Sequence, residues 1–141
     1  MSRISKRLSL AAAAILLTPG LHAEEVEFGS ESETTAGEII FKSYCVSCHG
    51  LKAKGDGPAA AALKKKPADL TQIRKRRDGE FYFVEIAEII DGRTPIDAHG
   101  SRTMPIWGKR FGETIGDHPV KEELISGNLL SLVLYLKSIQ E

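Results

Sequence analysis

The sequence predicts a small all-α domain, and three observations carry that prediction. Apolar residues recur at helical separations in three segments, near residues 36–44, 80–90 and 120–140. The stretches between them, 50–58 and 92–119, are punctuated by Gly and Pro and read as loops. No βαβ pattern surrounds the only two cysteines, so nothing calls for a sheet there.

The leading residues read as an address. Arg3, Lys6 and Arg7 form a basic region, Leu8–Leu17 is uncharged and rich in Ala and Leu, and Pro19-Gly20 breaks the run before Ala23. That is the layout of a secretory signal peptide over residues 1–23. The apolar run is about half the ~20 residues a spanning helix needs, so no membrane span is expected after cleavage. The remaining chain, residues 24–141, has a one-domain length. It holds sixteen bases against nineteen acids, a formal charge of −3. Residues 24–35 read as a flexible acidic leader, and residues 36–141 as the folded domain.

Each element of that domain has a local reason. Thr35 precedes Glu38 at capping-box spacing, and Ile40, Phe41 and Tyr44 follow at helical separations. This first helix runs directly into Cys45. Gly55-Asp56-Gly57-Pro58 is the strongest breaker in the chain, and Ala59–Leu63 suits a short helical turn before Pro67. Residues 64–77 carry seven Lys or Arg against one acid, Asp69. Glu80–Ile90 reads as helix, with Val84, Ala87 and Ile90 on one face and Glu85 and Glu88 on another, closed by Asp91-Gly92. Residues 92–119 read as irregular loop. Val120–Gln140 reads as a long helix with a stripe of Leu124, Ile125, Leu129, Leu132, Val133, Leu136 and Ile139. Gly127 within it marks a break or the close approach of a large group.

The chemistry concentrates in Cys45-Val46-Ser47-Cys48-His49. Cys-x-x-Cys-His is the attachment signature of c-type haem: two thiols form thioethers to the vinyl groups, and the adjacent imidazole reaches iron. Two other chemistries use similar spacing. A dithiol redox motif needs a thioredoxin-like βαβ frame. A zinc site would recruit Cys45, Cys48 and two of His49, His99 and His118, whose spacings are irregular for that metal. The export signal favours one covalent haem c, because bacterial haem attachment follows translocation. Such a protein is expected in the periplasm.

Iron bound by His49 needs an open position or a second ligand. Met1 leaves with the signal, so Met104 is the remaining methionine. It sits in Thr103-Met104-Pro105-Ile106-Trp107-Gly108, where Pro105 restricts the backbone before it. A thioether on such a loop suits a soft axial ligand, and His/Met ligation raises the reduction potential over two imidazoles. Core packing is the other use of a lone Met, and His99 and His118 are rival ligands. No nucleophile–base pair, phosphate loop or carboxylate pair points to an enzyme's own chemistry.

These residues resemble class I cytochrome c over roughly residues 36–140. Gly37, Phe41 and Cys45 at intervals of four are similar to that family's first helix. The resemblance implies an all-α fold wrapped round one haem, with N- and C-terminal helices crossing where Gly37 lets the backbones approach. Leu132–Lys137 resembles the last helix. The resemblance further implies that the Pro58 carbonyl accepts the His49 ring proton. His99 or Arg102 could bond a haem propionate or serve the loop itself. The function expected is single-electron shuttling between redox partner proteins by a monomer that binds no nucleic acid. Alternatives are a haem-bearing subunit of a larger dehydrogenase or reductase complex, and a ligand-binding haem sensor. The basic stretch 64–77 is either a solvated loop face or a docking surface for an acidic partner.

Overall fold

Acidic residues at a helix start and a basic one at its end favour the helix dipole. The first helix, α1 (Glu31–Tyr44), has Glu31 and Glu33 in its first turn and Lys42 in its last. The computed structural model describes residues 31–93 and 104–141. Within them, α1 starts at Glu31 and not near Thr35, so residues 31–35 of the segment read as leader are helical. Thr35 does not cap. Its hydroxyl donates to the Glu31 carbonyl one turn back at 2.7 Å, a bond made inside a helix. Glu38 instead pairs with Lys42 one turn on at 2.7 Å. The signal segment and residues 24–30 lie outside the described residues.

After Tyr44 the chain continues into a single turn, α2 (Val46–His49), which Gly50 ends at a φ of +79°. Three short 3₁₀ turns follow, at Ala60–Ala62, Leu70–Gln72 and Lys75–Arg77. Then come α3 (Phe83–Asp91), α4 (Trp107–Ile115) and α5 (Lys121–Ser138). No strand occurs among the described residues, so Phe81–Val84, though strand-like in composition, enters a helix.

Burial corrects two stripes. In α3 the buried pair is Ile86 and Ile90, while Val84 is 68% exposed. In α5, Leu124 points outward and Leu134 is buried. The α5 helix packs against α1, α3 and α4, so it needs apolar residues on more than one face. Gly127 neither breaks α5 nor admits a neighbour: it is exposed, with open space where a Cβ would stand.

The α4 helix occupies residues read as irregular loop. Its glycines are contact points. A Cβ on Gly108 would lie 2.7 Å from Arg93 Nε and 2.8 Å from Asp91 Cγ. Arg93 bridges Asp91 at 2.8 Å and Glu122 at 2.6 Å, tying the end of α3 to the start of α5 across that glycine. A Cβ on Gly112 would press Lys121 Cε at 3.0 Å and Ile125 Cδ1 at 3.3 Å.

The core lies where α1 and α5 cross. Phe41 and Val133 are fully buried, with Ile125 and Leu132 nearly so. A Cβ on Gly37 would sit 2.6 Å from the Ser131 carbonyl carbon and 2.7 Å from Tyr135 Cβ. Gly37 therefore lets the two backbones touch, as the resemblance implied. No helix among the described residues is long and apolar enough to cross a membrane.

Candidate functional site

The crossing helices deliver the cysteine motif to one wall of a cavity. Cys45 stands between α1 and α2, its N–H donating to Phe41 O at 2.9 Å. His49 N–H donates to Cys45 O at 2.8 Å, so the motif is a helical continuation with Cys48 and His49 on one short turn. Neither cysteine is in a disulfide. Burial, and then the neighbouring Cys48, push the Cys45 thiol up to about 12, so it stays protonated at neutral pH.

The His49 ring is fixed by one bond. Its Nδ1 lies 3.0 Å from the Ala68 carbonyl oxygen. A carbonyl only accepts, so Nδ1 carries the proton and Nε2 keeps the lone pair that binds metal. Burial lowers the His49 pKa, and the Ala68 bond partly offsets this.

Ala68 replaces Pro58 in the expected arrangement. Pro58 is exposed, and its segment bonds to the backbone of the motif. Gly55 N–H donates to His49 O at 2.8 Å, Gly57 N–H to Cys48 O at 3.1 Å and Ala59 N–H to Ser47 O at 2.8 Å. Gly57 is needed for this approach, because a Cβ there would lie 2.6 Å from the Cys48 carbonyl carbon. The loop after the motif thus braces α2, and the next loop orients the ring.

The cavity measures about 340 Å³, within the range of small-molecule and cofactor sites. Phe41, Ile73, Ile86, Ile90, Leu132 and Leu136 make much of its wall. Cys45, Cys48, His49 and Met104 all line it, so the structure brings together the four site residues named from the sequence. Among the described residues, Arg76 and Arg77 are the two charged side chains in the lining. Arg77 is held by a bidentate pair with Glu85 at 2.7 and 2.8 Å. Past Met104, Tyr44, Trp107 and Phe111 pack together with ring centroids 5.5 to 6.0 Å apart, tying α4 to the end of α1.

These residues fit a porphyrin. The walls are apolar, and the donor set is two thiols, an imidazole with a free Nε2 and a thioether. Zinc fits poorly: among the described residues no three of His, Cys, Asp and Glu gather to hold a metal ion. His118 is exposed, is absent from the lining, and accepts from Val120 N–H at 3.3 Å. His99 and Arg102 lie outside the described residues. Sequence reasoning missed Ala68 and the aromatic contacts of Tyr44. No residue type marks a backbone carbonyl as a ring acceptor.

Comparison with known proteins agrees with this chemistry. The protein-family model described as cytochrome C oxidase, cbb3-type, subunit III matches residues 32–117. No curated protein and no solved structure gives a significant match. The matched span takes in the cysteine motif, the Ala68 loop and Met104, and with the all-helical fold it settles the kind of protein. The chain belongs to this family and is a class I c-type cytochrome, an electron-carrying domain with covalently bound haem c.

Proposed function

We propose that this cytochrome is an exported, periplasmic monohaem carrier that shuttles single electrons between larger redox proteins as a monomer. Cys45 and Cys48 would hold the haem by thioethers, and His49 Nε2 and Met104 Sδ would ligate its iron. The observation that carries this reading is that Met104 lines the same apolar cavity as Cys45, Cys48 and His49. Such a haem would supply one-electron redox chemistry. The protein's part would be to supply an imidazole and a thioether to the iron, with the His49 proton held on Nδ1 through the Ala68 carbonyl. With both positions filled, the iron does not readily take an exogenous ligand, unlike that of a haem sensor.

The ferric absorption spectrum tests the ligation. Sulfur-to-iron charge transfer gives a weak far-red band that Met104→Ala should abolish. A band that persists in that variant would refute Met104 as the ligand.

The family description favours a second reading, in which the domain is a haem-bearing subunit of a larger oxidoreductase complex. Size-exclusion chromatography after mild extraction separates the two. A lone monomer supports the shuttle, and a stable co-purifying complex supports the subunit.

A further inference from the structure

We infer that Gln140 is a positioning residue for the haem site: by gripping the chain at Leu70 and Arg74, it sets the Ala68 carbonyl against His49 Nδ1. The inference rests on the proposed ligation of iron by His49.

The Gln140 side chain lies just beyond α5, yet two of its three bonds reach a distant loop. Its Oε1 accepts from Arg74 N–H at 3.0 Å, and its Nε2 donates to Leu70 O at 2.8 Å. The same Nε2 also donates to Leu136 O at 2.6 Å, inside its own helix. Acceptor and both donors of one amide are thus used together. A residue serving only to finish α5 needs the Leu136 bond and neither of the others.

Its neighbour reinforces the grip. Glu141 N–H donates to Thr71 O at 3.0 Å. The Glu141 carboxylate accepts from Gln72 Nε2 at 2.8 Å and pairs with Lys54 at 3.0 Å.

The gripped loop has little regular structure of its own. Residues 70–72 form one 3₁₀ turn, capped by Asp69, whose carboxylate accepts from Thr71 N–H at 2.9 Å. The Leu70 backbone is held at both its N–H and its carbonyl. Its N–H donates to Ala53 O at 2.7 Å, and its carbonyl accepts from Gln140. Ala68 is two residues upstream, so its carbonyl follows Leu70. Losing Gln140 removes the bonds at Leu70 O and Arg74 N–H and leaves the loop to the Ala53 bond and the Glu141 bonds at Thr71 and Gln72, so the hold on Ala68 loosens. A weaker bond from Nδ1 to Ala68 makes the imidazole a poorer donor to ferric iron, which raises the reduction potential.

The test uses the haem-loaded protein and Gln140→Met, which keeps side-chain length and removes all three bonds. Two proton-exchange rates are read by NMR, the Arg74 amide and the His49 ring N–H, together with the reduction potential. Both exchange rates should rise about tenfold, the size expected for losing one or two hydrogen bonds, and the potential should move upward. Gln140→Glu keeps the acceptor for Arg74 but loses the donor to Leu70, and should fall between wild type and Gln140→Met. A faster Arg74 amide with an unmoved ring proton and potential would overturn the inference while leaving His49 as ligand. A His49 ring proton without any paramagnetic shift in the ferric protein would overturn the ligation, and the inference with it.

Discussion

The crossing of α1 and α5 makes one substitution act with opposite sign at two glycines. At Gly37 an added methyl meets the Ser131 carbonyl carbon at 2.6 Å and Tyr135 Cβ at 2.7 Å. Ordinary contact begins near 3.4 Å, so the helices must part by roughly 0.7 Å or more. Neither obstacle is the end of a flexible side chain, so neither swings aside. Overpacking of this kind costs about 1–3 kcal/mol, and the loosening spreads to Phe41 and Val133, which have no exposed surface to spare. Replacing Gly by Ala within a helix returns about 1 kcal/mol. Gly37→Ala is therefore expected to lose about 2 kcal/mol, the upper overpacking figure less the propensity gain. At Gly127, in α5, no atom stands within 4 Å of the new methyl. Only the propensity gain remains, so Gly127→Ala should gain about 1 kcal/mol. Guanidinium unfolding of the haem-loaded protein, followed by far-UV circular dichroism, reads both, with midpoints moving in opposite directions. Equal stability of Gly37→Ala and wild type would refute the backbone contact. A loss at Gly127 equal to that at Gly37 would show that the position within the crossing is irrelevant.

Asp69 carries a pH signature. Its bonds from Thr71, chiefly from the hydroxyl, hold its pKa below the usual carboxylate range. Its contribution is therefore complete above the unfolded value near pH 4 and is lost as pH falls through the lower folded value. The stability gap between wild type and Asp69→Asn should close on acidification; a gap unchanged between neutral and strongly acid pH contradicts this. The Arg77–Glu85 pair is bidentate, and Arg77 is 23% exposed, so Arg77→Ala should cost about 1 kcal/mol in a chemical melt; no loss would mark the pair as energetically idle. The side chains of Lys64–Lys66 and Arg74–Arg76 are exposed, and Arg76 also lines the cavity. Electron transfer to an acidic partner should slow with rising ionic strength and with charge reversal at Lys65 and Lys66. A rate indifferent to salt rules out steering by this stretch.

How far the sequence could be read depended on whether a signal was local or shared between distant segments. The cysteine motif is wholly local, and its spacing alone delivers two thiols and an imidazole to one wall. Helices with a one-sided core contact were legible for the same reason. The glycines show the limit. Gly92 ends α3 in the left-handed region, as a breaker should. Gly108 and Gly112 sit inside α4 because Arg93, Lys121 and Ile125 press against them. In sequence these are the same residue with the same apparent meaning, and only the neighbours distinguish a stop from a contact. Leu124 and Leu134 exchanged places for a similar reason, since the number of partners around α5 decides how wide its apolar face must be.

The ring acceptor of His49 is the sharpest case, because any backbone carbonyl can fill that role. The motif requires that some loop present an oxygen to Nδ1, and it does not say which. Pro58 follows a breaker and lies close to the motif in sequence, but the N–H groups around it are committed to the carbonyls of Ser47, Cys48 and His49. Those bonds brace α2, and the ring acceptor comes from a later segment. The segment that answers, at Ala68, belongs to a loop stitched to Ala53 on one side and to Gln140 and Glu141 on the other. The proximal bond thus depends on residues separated by up to 70 positions. A site whose proposed ligands come from one pentapeptide and one methionine draws its ring acceptor from a loop held by distant parts of the chain. Variants far from the motif, at Gln140 or Lys54, are therefore where changes in potential without loss of haem are to be sought.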